Sequence, residues 1–270
     1  MTPGVTLERA ETSLGAIELF TYHRHRHAFP RHVHDTLTLG VFGEGNGTIR
    51  VQGGLHRAAP GTLLAIAPNE VHSAEPFRGT GWTYRSLCPS PALLAHAFDG
   101  SVPGFSFGQP VIEDPVLASE VGATHASLSE GPATFETEVR VVELVRRVVR
   151  RHAAVKSDPP THVASAREIA ARAGELMEER LSGLLHLADI ARECGVSPFQ
   201  LIRAFHAAFG VPPHAYLMQV RLRRARAMLR VGEMISCTAF ACGFVDQSHL
   251  TRVFKRYYGM TPGQYSRAVA

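Results

Sequence analysis

Hydrophobic and polar positions repeat themselves in the last third of the chain, over segments 187–216 and 235–265. Both copies predict a short helix, a turn that contains glycine, and a second helix with one apolar face, which is the pattern of a helix-turn-helix. A second copy in tandem makes this assignment far stronger than one copy would. The copies align, with a one-residue insertion after the second pair, at Ala191 and Ala239, Gly195 and Gly243, Leu201 and Leu250, Phe205 and Phe254, Gly210 and Gly259, Pro213 and Pro262, and Tyr216 and Tyr265.

A longer helix is predicted between the two copies, over 212–230. Met218, Leu222, Ala225 and Leu229 form an apolar stripe, and arginines occupy the other faces. A helix of about 20 residues spans roughly 30 Å, close to the ~34 Å of one DNA turn. We therefore expect it to hold the second helix of each copy in successive major grooves of one duplex. The alternative is a plain core helix, which explains the stripe but not the flanking copies.

Short alternating runs separated by glycine and proline fill the first part of the chain. Four of them, 36–42, 47–52, 61–68 and 81–87, predict strands whose length and spacing indicate a small antiparallel barrel or sandwich. The expected fold class is therefore α+β with two domains. The first is a β-rich jelly-roll barrel followed by a helical pair, and the second is an all-α tandem helix-turn-helix domain.

Two helices and a linker are predicted in the middle of the chain. The first helix covers 116–128, with Asp114 as N-cap, and the second covers about 133–154. The second helix is rich in valine, a poor helix former, so we expect packing to hold it, either in a homodimer or against its own barrel. A Pro-Pro pair marks a linker. The predicted divisions are 1–112 for the barrel, 113–154 for the helical pair, 155–165 for the linker and 166–270 for the helix-turn-helix domain.

Charge separates the two halves of a chain whose composition is otherwise ordinary for a globular protein. Residues 166–270 carry a formal charge of +6 and the remainder carries −2, so we expect a polyanion partner for the C-terminal part alone. No apolar run reaches membrane length and no signal-peptide pattern begins the chain, so we expect a cytoplasmic protein without membrane contact. The four cysteines form no CxxC pair and are expected to be small buried thiols.

Three histidines in the first half are candidate metal ligands. The spacing His32-x-His34, followed by a glycine-rich turn and by His72 after a predicted strand, resembles the two short motifs of the cupin superfamily. Cupins are jelly-rolls whose mouth holds a metal or a small ligand. His32 and His34 share a strand face and, with His72, are candidates for a divalent site for Zn, Fe, Ni or Cu. Metal-binding cupins usually add Glu or Gln after the second histidine, where this chain has Leu-Thr-Leu.

A pocket for an organic effector, or simple bracing of the barrel, is the alternative role for this region. Trp82 and Tyr84 share a strand face and suit an aromatic wall, although such a pair also serves as core. The run His23-x-His25-x-His27 is interpreted as a solvated face of an edge segment. Apart from an effector or this metal, no cofactor is expected. The predicted pocket residues are Arg31, His32, His34, His72, Trp82, Tyr84 and Arg85.

The second copy carries the most specific pattern in the chain. Its run of Gly243-Phe244, Asp246-Gln247-Ser248-His249-Leu250, Arg252, Phe254-Lys255-Arg256, Gly259, Thr261-Pro262 and Tyr265 closely resembles the signature of the AraC/XylS family of bacterial transcription regulators. The resemblance covers about 166–267, and the front half is more loosely similar to the family's cupin-like regulatory domain. It implies a sequence-specific activator or repressor, rather than an enzyme, whose N-terminal domain senses a small molecule. The implied partners are double-stranded DNA, the effector and RNA polymerase.

The resemblance also implies recognition helices at 197–208 and 246–258. Arginine can pair with guanine and glutamine with adenine through two hydrogen bonds each, whereas phosphate contacts position the protein without specifying sequence. Ile202, partly buried, occupies a position where many family members carry a polar base-reading residue. The predicted base contacts are Phe199, Gln200, Arg203, Gln247, Ser248, His249, Thr251 and Arg252, and the predicted phosphate contacts are Arg221, Arg224, Lys255 and Arg256.

Two other classes of protein fit parts of the pattern. A metal-dependent cupin enzyme fused to a DNA-binding domain requires a bound metal. A constitutive DNA-binding protein whose barrel serves only for dimerisation requires that no small molecule affect DNA binding. The chain shows no Ser/His/Asp arrangement, phosphate-binding glycine loop or zinc-finger spacing.

Overall fold

The computed structural model describes residues 4–77, 81–98, 100, 102, 104–155, 161–182 and 185–269. The chain divides into two compact units, Met1–Lys156 and Ser157–Ala268. The segment predicted as a linker, 155–165, includes residues 156–160, which lie outside the described residues. No helix in the described ranges has both the length and the apolar character needed to cross a bilayer.

The first unit contains two main antiparallel sheets. Its strands are β1 (Gly4–Thr12), β2 (Gly15–His25), β3 (Phe29–His32), β4 (Thr38–Phe42), β5 (Gly47–Val51), β6 (Gly54–Ala58), β7 (Leu63–Ile66), β8 (His72–Pro76), β9 (Trp82–Pro89), β10 (Phe105–Ser106), β11 (Val111–Ile112) and β12 (Ala154–Val155). The larger sheet has the order β1-β2-β9-β4-β7-β11, the smaller has the order β3-β8-β5-β6, and β10 pairs with β12. Within the described part of the chain no pairing joins the two main sheets. The predicted jelly-roll is therefore an open two-sheet arrangement rather than a closed barrel.

The larger sheet packs on both of its faces. Leu19 of β2 points to one side and joins a hydrophobic cluster with Val121 and Val145, which belong to the helical pair. Tyr22 of the same strand points to the other side, where its ring meets Phe29 of the smaller sheet at 5.7 Å. The predicted helical pair thus packs on its own sheet. The helices of this unit are α1 (Pro91–Ala97), α2 (Pro115–Glu130) and α3 (Phe135–His152).

The start of α2 is stabilised in the predicted way. The Asp114 carboxylate accepts a hydrogen bond from the Leu117 N–H at 3.1 Å, which satisfies one of the free donors of the first turn. This bond lowers the pKa of Asp114, as do a hydrogen bond from His152 and the charge of Arg151 near the end of α3. Asp114 therefore also links the start of α2 to the end of α3.

The second unit is entirely helical. It consists of α4 (Thr161–Glu179), α5 (Leu187–Glu193), α6 (Pro198–Phe209), α7 (Pro213–Arg230), α8 (Ile235–Ala241), α9 (Gln247–Tyr258) and α10 (Pro262–Val269). Helices α5 and α6 form the first copy of the repeat, and α8 and α9 form the second copy. Helix α4 begins five residues before the predicted start at 166, because its first turn lacks the apolar spacing used to place that start.

The prediction for the cysteines was only partly right. Cys88 and Cys242 are buried, Cys194 is partly exposed, and Cys237 on the short helix α8 is exposed. Helix α8 buries only Thr238 and Ala239. A seven-residue helix with one buried face leaves the neighbouring position 237 in solvent. The sequence prediction treated every position of this helix as core and therefore missed the exposure of Cys237.

Candidate DNA-binding surface and candidate ligand site

The two copies share one backbone scaffold. Gly195 and Gly243 lie in the turns at φ of +69° and +74°, and Gly210 and Gly259 end α6 and α9 at +67° and +74°. Glycine adopts this left-handed conformation without the steric penalty of a β-carbon. The aligned core residues Leu201 and Leu250, and Phe205 and Phe254, are each 0% exposed. The sequence repeat is therefore a repeat of the backbone and of the core.

The first turn of α9 presents a polar surface. Gln247, Ser248 and Arg252 are exposed, whereas the other two residues predicted to read bases on this helix, His249 and Thr251, are only partly exposed. Asp246 caps the helix by accepting the His249 N–H at 2.6 Å. Exposed Gln and Arg at the N-terminal end of such a helix have the hydrogen-bonding groups that read base edges in the major groove.

His249 also supports the turn of the second copy. Its Nδ1 accepts from the Val245 N–H at 3.4 Å, and its ring lies edge-on to Phe244 at 5.4 Å. Two local contacts hold the imidazole against the protein. The residue therefore has a structural role that its position in the motif did not reveal.

The first turn of α6 presents a more apolar surface. Phe199 is 67% exposed, and the guanidinium of Arg203 lies 5.9 Å from the centre of its ring. Ile202 is partly buried, as expected. The Gln200 side chain accepts from the Ser197 N–H at 2.8 Å, and the Ser197 hydroxyl accepts from the Gln200 N–H at 3.2 Å. Gln200 is thus part of a capping box, which competes with the predicted base contact.

Most arginines of α7 hold the second unit together. Arg223 donates to Glu178 of α4 at 3.1 Å. Arg226 lies over the rings of Tyr258 and Tyr265 at 5.1 and 5.4 Å. Arg230 donates to the Tyr265 hydroxyl at 3.3 Å. The apolar stripe predicted only that these arginines lie on the other faces of the helix, because a one-dimensional pattern does not show which neighbours those faces meet.

Arg221, a predicted phosphate contact, is less exposed than the other residues with that prediction. It is partly buried against the turn of the second copy, where a β-carbon added at Gly243 would lie 2.8 Å from its Nη2. Burial lowers the pKa of Arg221. Its guanidinium therefore lies against the turn of the second copy, and its phosphate contact stays a prediction. Arg224, Lys255 and Arg256, the other predicted phosphate contacts, are all exposed.

In the first unit, His32, His34 and His72 lie together. His32 is the strand partner of His72 in the β3–β8 pair, and their ring centres are 4.2 Å apart. His34 follows β3, where its carbonyl accepts from the Asn69 N–H at 2.8 Å, and its ring lies 4.8 Å from that of His72. One ring nitrogen of each residue lies within 4.8 Å of the others. His32 and His72 are 9% and 7% exposed.

The protonated nitrogen of each of these rings is fixed by the backbone. The Nδ1–H groups of His32, His34 and His72 donate to the carbonyl oxygens of Pro30, Thr36 and Glu70 at 2.7, 2.9 and 2.9 Å. A carbonyl oxygen can only accept, so Nδ1 carries the proton and Nε2 the lone pair in the neutral ring. Burial and the neighbouring His34 lower the pKa of His32 to about 4, and burial with both neighbours lowers that of His72 well below its ordinary value.

An aromatic wall lies beside the three histidines. Tyr22 and Tyr84 stack at 4.5 Å, and Phe29 lies 6.4 Å from His32. Tyr84 is partly exposed, whereas Trp82 is 1% exposed and belongs to the core.

Two predicted pocket residues, Arg31 and Arg85, are not brought to this inner face. Both are exposed, and each is the strand neighbour of an inward side chain, His32 or Tyr84. In β9 successive side chains alternate between the two faces, so Arg85 points away from the side of Tyr84. The pairing of β3 shifts register between Phe29 and His32, so for Arg31 it is exposure alone that separates the residue from the buried His32.

His25 is another departure from expectation, because the run His23-x-His25-x-His27 was assigned to a solvated edge. Strand β2 lies between β1 and β9, and His25 is 7% exposed. Burial, together with the charge of His27, lowers the pKa of His25 to about 4. The His25 Nε2 and the Trp82 Nε1 are buried polar atoms that have no hydrogen-bond partner among the described residues. Such atoms are rare in native structures.

Comparison with known proteins covers both units. Residues 14–145 match the model of an AraC-like ligand binding domain, and residues 190–268 match that of a helix-turn-helix domain. The chain is 29% identical over 241 residues to the HTH-type transcriptional regulator YbfI of Bacillus subtilis, with 87% of this chain and 86% of that protein covered. The chain belongs to the AraC family of transcription regulators.

Other relatives of this AraC-family regulator agree with that assignment. The HTH-type transcriptional activator RhaS of Klebsiella pneumoniae is 26% identical over 260 residues, covering 87% of this chain and 86% of RhaS. A single-residue variant of ToxT from Vibrio cholerae, in its apo form, has a similar fold, with a TM-score of 0.63 at 14% identity over 97% of this chain and 100% of that chain. The regulator therefore has a ligand-binding first unit and a DNA-binding second unit.

Proposed function

We propose that this regulator reads two neighbouring major grooves of one duplex through α6 and α9, with α9 providing most of the base recognition. The observation that carries this proposal is the difference between the exposed side chains of the two helices: Gln247, Ser248 and Arg252 in the first two turns of α9 are polar, whereas in α6 Phe199 is apolar and Gln200 is used in the capping box. The length of α7, 18 residues, corresponds to about 27 Å at 1.5 Å per residue. That length supports half-elements spaced about one helical turn apart.

We further propose that the inner face of the first unit binds a small organic effector. The stacked pair Tyr22 and Tyr84 offers an aromatic surface. An effector that reaches the buried Trp82 Nε1–H and His25 Nε2, which have no hydrogen-bond partner among the described residues, would meet a donor and a second polar atom. ToxT, which shares the fold, has a structure in which it is bound to an unsaturated fatty acid. The effector proposed here combines an aromatic or apolar body with an acceptor group for the indole N–H.

The expected cellular setting follows from these roles. The regulator acts on DNA in the cytoplasm and affects transcription through RNA polymerase, either as a monomer or as a homodimer. The match of both units to transcription regulators favours this function over the metal-dependent enzyme considered from sequence.

The test is selection of bound DNA from a random library by the full chain, with and without candidate effectors. We expect enrichment of a site with two conserved elements about one helical turn apart, and a change in enrichment with one class of effector. Enrichment of a single short element would contradict reading by both copies, and indifference to every effector would favour the constitutive alternative.

A further inference from the structure

The three clustered histidines of the first unit have the chemistry of a metal site. They come from two paired strands and one loop, and the loop is fixed by the hydrogen bond between the Asn69 N–H and the His34 carbonyl. Asn69 itself has a φ of +59°, a left-handed conformation that asparagine tolerates better than most residues. Backbone pairing and the hydrogen bond in the loop therefore bring the three imidazoles together.

The orientation of the rings matches that of metal-bound histidines. A histidine that binds a metal through one nitrogen usually donates its other N–H to a carbonyl or carboxylate, which fixes the ring and its tautomer. All three rings do this through Nδ1, with backbone carbonyls as acceptors. The Nε2 atoms are then the ligands. Two of the rings are almost fully buried, so the cluster suits neutral imidazoles, which are the form that binds metals.

Metal binding requires only a small decrease in the distances between the ring nitrogens. Nitrogens bound to one tetrahedral zinc at about 2.0–2.1 Å are roughly 3.3 Å apart. One ring nitrogen of each histidine lies within 4.8 Å of the others, so the separations would shrink by at most about 1.5 Å on binding, a movement that small rotations about the side-chain bonds can supply.

Glu70, whose backbone carbonyl accepts from His72, does not offer a fourth protein ligand. The Glu70 carboxylate accepts from the Gln52 side chain at 2.6 Å and from the Ala67 N–H at 3.2 Å, so both of its oxygens are used in holding the turn. In the Leu-Thr-Leu segment, where metal-binding cupins usually have Glu or Gln, the inward residue is Thr38, whose hydroxyl lies 3.4 Å from His34 Nε2. Three histidine ligands leave a coordination position for water or for a donor atom of a small molecule.

We propose that His32, His34 and His72 bind one borderline divalent metal ion, such as Zn²⁺, through their Nε2 atoms, with a coordination position left open beside the aromatic wall. Metal binding does not depend on the DNA-reading role of the second unit. A donor atom of an effector at the open position is the part that rests on the proposed function.

The test uses the untagged full chain, freed of metal by a chelator and titrated with Co²⁺ as a spectroscopic probe. We expect one Co²⁺ per chain, with the visible absorption of a tetrahedral site, displaced by Zn²⁺. His34→Gln should weaken Zn²⁺ binding by at least the roughly 10–100-fold typical of losing a group that supports a metal ligand. His96→Ala, which removes an exposed histidine of α1 outside the cluster, should bind as the wild type does.

A second measurement needs no variant and so is independent of any effect on folding. Imidazole-nitrogen NMR of the wild-type chain should show Zn²⁺ shifting the Nε2 signals of three histidines. Substoichiometric Co²⁺ binding, unchanged affinity in His34→Gln, or Nε2 signals that do not respond to Zn²⁺ would each overturn the proposal. Because these measurements contain no DNA, such a result would leave the DNA-reading proposal untouched.

Discussion

The two copies of the helix-turn-helix have the same skeleton and different surfaces. Aligned residues cap their recognition helices, end them with left-handed glycine and fill their cores. Both aligned arginines, Arg203 and Arg252, are exposed, but Arg203 lies near the ring of Phe199, whereas the second copy has Ser248 at the position aligned with Phe199. The positions aligned with Lys255 and Arg256 are His206 and Ala207. The two copies thus share the residues that folding requires and differ in the residues predicted to contact DNA.

The copies also differ in how they are buried. A β-carbon added at Gly195 would meet nothing within 4 Å, whereas one added at Gly243 would lie 2.1 Å from the Leu181 carbonyl oxygen. Tyr216 stacks on Phe209 at 4.6 Å and is partly exposed, whereas Tyr265 is 1% exposed beneath arginines of α7. The second copy is therefore held more tightly by the rest of the unit.

The largest predicted effect tests this difference between the copies at the two turn glycines, Gly195 and Gly243. Gly195→Ala should cost roughly 1–2 kcal/mol of unfolding free energy, which is the penalty of the left-handed conformation alone. Gly243→Ala should cost about 2–5 kcal/mol, because the new methyl group must also displace a backbone oxygen. Chemical denaturation of the full chain, followed at the transition of the second unit, measures both. Equal losses would show that the second turn is no more constrained than the first.

A smaller effect is expected at the caps, where the copies should behave alike. Ser197→Ala and Asp246→Ala each remove a side-chain acceptor for a first-turn N–H and should each cost about 1 kcal/mol of unfolding free energy. The same denaturation experiment applies, with Ser236→Ala, an exposed serine of α8, as the control. A loss confined to one copy would mean that the shared scaffold does not rely on its caps equally.

The smallest effect concerns the salt dependence of DNA binding. Lys255→Ala should reduce the slope of log affinity against log salt by about 0.9, as expected for one lost phosphate contact. His206→Ala, at the aligned position of the first copy, should leave the slope unchanged at neutral pH. Binding titrations on one DNA site at several salt concentrations give both slopes. Equal slopes for the two variants would contradict the expected difference in phosphate binding between the two copies.

The second unit could be predicted from sequence more fully than the first, for a physical reason. Because of the repeat, each helix boundary occurs twice in the sequence, and glycine, proline and capping residues mark it locally. Helix α5, for example, was predicted with its observed limits, Leu187–Glu193. The partners of Arg221, Arg226 and Arg230 depend on helices distant in sequence, so no local pattern could show them. In the first unit, the sequence predicted a strand face shared by His32 and His34, but β3 ends at His32 and His34 reaches the cluster from the following loop. The error at His25 arose because β2 is an interior strand, which is set by pairing across the sheet.

The most direct test of the central claim, that the second copy carries most of the base recognition, compares the aligned arginines. DNA selection and affinity measurements should be made on wild type, Arg203→Ala and Arg252→Ala. We predict that Arg252→Ala costs about 1–3 kcal/mol on the selected site and loosens preference at one base pair, whereas Arg203→Ala has the smaller effect on both. Equal losses, or a larger loss for Arg203→Ala, would contradict the account.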